Sequence, residues 1–378
     1  MVNLLIAGDF CPNDRVARLI EQEEYSDILG EIKPIIAQMD YSLINLECPI
    51  VECPIKPKEK QGPNLKASQL AVKLIKYVNF KCVTLANNHF LDYGDEGVSH
   101  TLNILRYEHL DFVGGGEDLS RASGILYKDI NGKKIAFINC CEHEFSIATE
   151  HSAGANPLNP IQQYYAIVEA KNKADYVIIV VHGGHEYFQL PSPRMQEIYR
   201  FFVDIGADAV INHHQHCYSG YEVYKEKPIF YGLGNFCFDK NTQRNSIWNE
   251  GYLVKLVLDN KIHFELYPYI QCNDTPNVVL MKKDRVDDFY SSIKCFNEII
   301  ADSCRLKLEH QHWMKEREGN LKLVLSPYSN RWFRIMASRG LLPMFLSKKR
   351  KLSLLNFIYC ESHRDRIVYL LNEGERNE

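Results

Sequence analysis

Short apolar runs alternate with amphipathic stretches over the first ~270 residues, the pattern of an α/β chain. Six runs read as strands: 2–8, 41–46, 81–86, 134–140, 176–181 and 208–211. Between them, Leu70, Leu74 and Val78 share one helical face, as do Val98, Leu102 and Leu105. Met195, Ile198, Phe202 and Ile205 repeat that spacing after Ser192 as N-cap and Pro193 at the first helical position. Segment 53–63, rich in Pro and Lys, reads as a surface loop. Further on the period shortens, and 228–238, 252–258 and 262–269 read as consecutive strands, with Asp259-Asn260 as a hairpin turn. Turn residues over 272–277 mark a boundary. Helical patterns follow over 285–318 and 330–371, separated by Ser326-Pro327. The expected organisation is an α/β domain over 1–275 and a helical region over 276–378.

Composition narrows the class. At 378 residues, with 46% apolar and 24% charged residues, the chain suits one large domain plus an appendage. The net charge of −4 is unevenly spread. From Met281 onward nineteen Lys and Arg face thirteen Asp and Glu, a balance of +6 that leaves −10 for the preceding 280 residues. An acidic first part argues against a nucleic-acid binder, whereas the basic tail suits an anionic surface or partner. No leader-like segment precedes the first strand pattern, and no run approaches about 18 apolar residues. The expected location is therefore cytoplasmic, unless a partner carries the chain to a membrane. The twelve cysteines show no CxxC pairing and lie largely in apolar runs such as those of Cys82, Cys140 and Cys237. They read as reduced core thiols.

Candidate chemistry gathers at the strand ends, where open α/β sheets place their ligands. Asp9 ends the first run and Glu47 the second, while Asn88 and His89 follow the third. His182 ends the fifth, and His213, His214 and His216 follow the sixth. Alternation along an extended chain would send His214 and His216 to one side, where two imidazoles can grip a divalent ion. Singly, Asp9, Glu47 or His182 is more often a cap, a surface carboxylate or a structural histidine. Together they offer more donors than one ion needs, which favours two ions sharing a bridging group and clamping the oxygens of an in-line displacement. Mixed nitrogen and oxygen donors suit Zn, Mn or Fe better than Ca or Mg.

The pieces Gly8-Asp9, Asn45-Leu-Glu47, Leu85-Ala-Asn-Asn-His89 with Asp92-Tyr-Gly94, His182-Gly-Gly-His-Glu-Tyr187, the run Gly206 to His216, and Tyr231-Gly-Leu-Gly-Asn-Phe236 occur in this order. In that order they resemble the CapA family of bacterial capsule and poly-γ-glutamate synthesis, itself similar to the metallophosphatases. The resemblance covers roughly residues 1–270. It implies a four-layer α/β sandwich, two mixed sheets flanked by helices, followed here by a C-terminal helical extension. It also implies a dinuclear site: Asp9 and His216 on one ion, Asn88, His182 and His214 on the other, and Glu47 between them. His89 would be the general acid. His185 and Glu186 would face the substrate or orient a ligand, and Asn235 would line the pocket. His213 is left as structural. The chain departs from ordinary metallophosphatases at Cys11, where they carry histidine, and at Asn212 and Gln215, where they carry glycine and proline.

The function so implied is a metal-dependent hydrolase acting on a phosphoester or a γ-glutamyl-type amide. Its partners would be an anionic polymer or phosphorylated substrate and the capsule-synthesis machinery. The alternative is a non-catalytic, metal-containing component of an envelope-polymer assembly. In the tail, Lys348-Lys-Arg-Lys351 lies between apolar segments 340–346 and 352–358. The preferred reading is a helical subdomain with solvated lysines and packed leucines. The other is peripheral contact with an anionic membrane.

Overall fold

In the computed structural model, which describes residues 1–52, 54–60, 62–316, 330–342 and 347–359, the apolar runs assemble into two large mixed sheets. Edge to edge, the larger runs Val278–Leu280, Ile262–Gln271, Glu250–Leu258, Val2–Phe10, Tyr41–Leu46, Cys82–Thr84 and Asp111–Val113. Asn235–Cys237 adds to Val2–Phe10 in parallel. The second sheet runs Tyr221–Tyr224, Lys227–Phe230, Ala209–His213, Tyr176–His182, Lys133–Cys141 and Leu126–Ile130. The site-bearing strands pair in parallel within each sheet, as crossover connections require.

Two cores fix the layers. Val2, Leu4 and Ile6 pack with Ile135, Phe137, Ile178 and Ile211 between the sheets. Their alternates Leu5 and Ala7 pack with Val72, Leu74, Val98 and Leu102 of helices on the outer face. Both faces are thus buried, which is why this strand is a continuous apolar run rather than an alternating one. Burying each large side chain stabilises the sandwich by roughly 1.5–3 kcal/mol. Across the second sheet, the Pro193–Asp204 helix sets Tyr199 against Tyr231, with centroids 5.9 Å apart. Its hydroxyl lies 2.7 Å from Asn212 Oδ1. Ser192 caps that helix, its side chain accepting from Met195 N. The order helix, sheet, sheet, helix is the four-layer sandwich.

Several expectations change. The run 228–238 is two strands: Lys227–Phe230 joins the second sheet and Asn235–Cys237 the first. Between them Gly234 adopts φ +79°, and a Cβ on Gly8 would stand 1.9 Å from Gly234 O. Backbone meets backbone there, so neither position accepts a side chain. The stretch 285–318 breaks at Asp302, whose side chain accepts from Cys304 N and Arg305 N. The ten described cysteines are free thiols, eight of them buried.

The chain forms two compact units, Met1–Leu308 and Glu309–Glu378. In the first, Phe289 of the Lys283–Ala301 helix packs on Tyr218 and Tyr252. The helix Ser303–Glu316 crosses the boundary at 308/309, and the second unit also holds the helices Arg331–Ser338 and Lys348–Tyr359. Trp332 is exposed there, as are Leu341, Leu352, Leu355 and Ile358, so the leucines expected to pack in this tail include three that do not. Residues 317–318 and 360–371 of the expected helices, the stretch 319–329 between them, and 343–346 of the apolar segment lie outside the described residues. Among the described residues, no helix is long and apolar enough to cross a membrane.

Candidate metal centre

Asp9, Glu47, Asn88, His182, His214 and His216, all buried, converge where the carboxyl ends of the two sheets' parallel strands meet. Asp9 stands at a bulge: Ala7 pairs with Ile44 but Asp9 with Asn45, so Gly8 is the extra residue that re-aims the carboxylate. Glu47 follows directly, its N–H donating to Phe10 O at 3.0 Å. Asn88 and His89 occupy the turn after Cys82–Thr84. His182 is the last residue of its strand and pairs with His213.

The two later histidines are not placed by strand alternation. The strand ends at His213, and His214 and His216 sit at φ 91° and 55°, backbone that L-residues rarely adopt. Such strain persists where the surroundings over-determine it: the His214 N–H donates to Asp9 Oδ2 at 3.1 Å. The turn sends the rings to different groups. Ligand atoms of Glu47, His182 and His214 lie within 4.8 Å of one another, and those of Asp9, Glu47 and His216 form a second such group. Glu47 belongs to both. His214 Nδ1 is 3.1 Å from His182 Nε2, and Asn88 Oδ1 is 3.0 Å from the same nitrogen. Glu47 Oε1 lies 3.5 Å from His182 Nε2 and 3.7 Å from His216 Nε2.

Whether these donors fit divalent cations can be read from Glu47. Both of its carboxylate oxygens are buried with no hydrogen-bond partner, although burying an uncompensated charge costs several kcal/mol. An orphaned carboxylate ringed by imidazoles has the donor chemistry of a metal site. The protonation states agree. Burial, then the charge of Asp9, pushes the Glu47 carboxyl well above its usual range. Burial lifts Asp9 to about 7 against the lowering of its bonds from Asn45 and the His214 N–H. Burial and then His214 hold His182 well below its ordinary value. Burial and His214 do the same to His216, with Lys240 a smaller contributor. His182 and His216 are thus neutral donors, and the Glu47 and Asp9 carboxyls carry the protons a cation would displace.

The surrounding residues hold this geometry. Asn45 Nδ2 lies 2.7 Å from Asp9 Oδ1 and 3.3 Å from His182 Nδ1, tying the two sheets together. Asn235 is fully buried, with Oδ1 2.9 Å from His216 Nδ1. That contact leaves Nε2 of His216 for the centre. His89 Nδ1 lies 2.7 Å from Asp92 Oδ2, which leaves Nε2 for the cavity His89 lines. Asp92 Oδ2 also accepts from Leu65 N at 2.6 Å, and Lys60 Nζ is 2.6 Å from Asp92 Oδ1. The Lys60 side chain is only 2% exposed, so the expected surface loop, exposed at 54, 56–59, 62 and 63, is fastened to the site through this residue. Glu144 accepts from Asn88 Nδ2 at 3.2 Å and lies 3.6 Å from His214 Nε2.

Other positions stand further off. His213 is buried, its pKa pushed down to about 3 by burial against the raising effect of a backbone bond with Ala7. His185 packs against Phe188 with ring centroids 6.4 Å apart. Cys11 belongs to neither donor group. Burial, then neighbouring Cys48, pushes its thiol well up, so it is a protonated thiol rather than a thiolate. Glu186 and Tyr187, with His89, His216, Phe238 and Trp248, line a cavity of about 400 Å³ opening beside the centre.

Sequence reasoning missed Asn45, Lys60, Asp92 and Glu144 as contributors. Asn45 and Asp92 carried a signal, a polar residue inside a buried strand and a carboxylate three residues past His89. Lys60 and Glu144, in irregular segments, carried none.

The family model described as "Bacterial capsule synthesis protein PGA_cap" matches residues 3–240. The chain is 32% identical over 251 residues to "Capsule biosynthesis protein CapA" of Bacillus anthracis, covering 64% of this chain and 61% of that protein. It is 34% identical over 241 residues to "PGA biosynthesis protein CapA" of Bacillus subtilis (strain 168), covering 63% of each. It therefore spans about three fifths of the length of these relatives. Among solved structures, a 5'-nucleotidase precursor from Thermus thermophilus superposes with a TM-score of 0.41 at 10% identity, covering 86% of this chain and 60% of that one.

Proposed function

Because the chain belongs to the bacterial capsule synthesis family PGA_cap, we propose that it is a metal-dependent hydrolase of surface-polymer synthesis, cutting a γ-glutamyl-type amide or a phosphoester. The observation that carries this reading is the buried, unpartnered Glu47 carboxylate shared by two donor groups. Asp9, Glu47 and His216 would hold one divalent ion, and Glu47, Asn88, His182 and His214 the other, with Zn, Mn or Fe suited to the donor types. When bound, such ions supply Lewis-acid activation of water and of the substrate's carbonyl or phosphoryl oxygen.

The chain's own residues do the rest. Asp92 fixes the His89 ring so that Nε2 can give a proton to the leaving group. Asn45 and Asn235 hold Asp9, His182 and His216 in register. Tyr187, Phe238 and Trp248 give one wall of the cavity an apolar surface. A scaffold that only bound a polymer would have no use for an oriented imidazole beside these donors. The test is hydrolysis of a γ-linked glutamate oligomer and of an aryl phosphate by chelated and metal-reconstituted protein. Turnover of at least one, restored by metal and absent after chelation, is expected. No turnover by fully loaded protein would instead favour the non-catalytic assembly component.

A membrane-surface role belongs to the tail. Lys348, Lys349, Arg350 and Lys351 open a helix whose Leu352, Leu355 and Ile358 are exposed, a basic and apolar pairing that suits an anionic lipid surface. Co-sedimentation with anionic vesicles should fall at least ~tenfold when the four become glutamine, since each cation near such a surface contributes about 1 kcal/mol. Unchanged binding would remove this role.

A further inference from the structure

The cavity beside the donor cluster holds a cation that the reading above does not use. Lys240 lines it together with His216, Trp248 and Tyr187. Its Nζ sits 4.7 Å from the Trp248 ring centroid. Trp248 in turn lies 4.7 Å from the His216 ring and stacks on Tyr187 at 6.0 Å. The ammonium is thus one aromatic ring away from a candidate ligand.

Its charge is uncommitted. Nearby Asp239 is taken by two arginines: Arg15 Nη2 and Arg244 Nη2 each stand 2.9 Å from its Oδ1, and Arg15 Nε donates to Oδ2 at 3.0 Å. Asp14, which also lines the cavity, accepts from Asn241 N at 2.8 Å. Glu186 is exposed on the wall. Among the described residues no carboxylate comes within ion-pair distance of Lys240 Nζ. A half-buried ammonium held on an aromatic face is placed to meet an anion, and a charge-assisted hydrogen bond there is roughly twice as strong as a neutral one. The aromatic wall beside it suits the methylene and amide groups of a chain carrying that anion.

We propose that Lys240, laid on the Trp248–Tyr187 wall beside His216, is the anion subsite of this centre, receiving the substrate carboxylate or phosphate next to the bond being cut. The proposal rests on the cavity's being the substrate site of the reading above, and its test is one of binding rather than turnover. The full-length, metal-loaded protein is titrated with a γ-linked glutamate oligomer, with the same oligomer carrying amidated α-carboxyls, and with inorganic phosphate. Metal content is measured alongside.

Wild type should prefer the charged oligomer about tenfold, the order of one charge-assisted bond. Lys240→Met should lose that preference while binding the amidated oligomer as before, and Lys240→Arg should keep most of it. This pattern would make the anion a carboxylate. Preference confined to inorganic phosphate, and lost in Lys240→Met, would make it a phosphate. Lys240→Met retaining wild-type discrimination, or wild type discriminating against neither anion, would overturn the subsite. Loaded protein that cuts nothing would count against the hydrolase reading and leave the binding comparison intact.

Discussion

Replacing Glu47 with glutamine should abolish stable metal uptake and, in the metal-free protein, raise stability. Both effects follow from one carboxylate that is buried, unpartnered and common to two donor groups. Without ions, burial and the charge of Asp9 hold its pKa well above the ordinary value of 4.5. The sign is then fixed. Below the unfolded pKa both states are protonated and Glu47 contributes nothing. As pH rises past it, the unfolded state ionises while the folded state keeps its proton, so native stability falls. Asp9 adds the same trend between its ordinary value of 3.8 and about 7.

Metal-free Glu47→Gln should therefore match wild type near pH 4 and exceed it at pH 8, by about 1.4 kcal/mol for each pH unit over which the unfolded state ionises and the folded state does not. Saturating metal should reverse the order, since an ion at ~1,000 times its Kd adds about 4 kcal/mol to wild type alone. Ion binding near pH 6 should release protons from the two carboxyls, and fewer in the variant. Denaturant titrations with and without metal, at both pH values, check this. A metal-free variant less stable than wild type would mean that Glu47 is a structural residue.

The second large effect concerns His89. His89→Ala should lower turnover of a substrate with a poor leaving group by about 10²–10⁴. The loss should be much smaller for an aryl ester whose leaving group needs no proton, with metal content unchanged. Asp92→Asn should act in the same direction, because Asp92 holds the Nδ1 side of the ring. It should also loosen Lys60 and Leu65, which Asp92 anchors through the Lys60 ammonium and the Leu65 N–H. Equal losses for good and poor leaving groups would take the general-acid role away from His89.

The sandwich and the positions of its donors were legible because both depend on periodic burial. Continuous apolar runs mark strands covered on both faces, and a polar residue just past such a run lies at a sheet edge. The short or half-exposed edge strands Asp111–Val113, Leu126–Ile130 and Tyr221–Tyr224 bury too little to leave that signal. The split of 228–238 was hidden because Lys227–Phe230 and Asn235–Cys237 are equally apolar while serving different sheets. Only Gly232 and Gly234 hinted at the crossing. At the site, the structure brings the expected histidines together by a geometry other than strand alternation. Strand alternation does not hold past His213, and two left-handed residues aim His214 and His216 at separate donor groups. Lys60, Glu144 and Lys240 come from irregular segments, where position in space depends on tertiary contacts that no local pattern encodes.

The central claim is that Glu47 joins two metal ions, and anomalous diffraction from metal-reconstituted crystals tests it most directly. Two peaks per chain should flank the Glu47 carboxylate, one beside Asp9 and His216 and the other beside His182 and His214. A single peak, or peaks out of reach of Glu47, would contradict it.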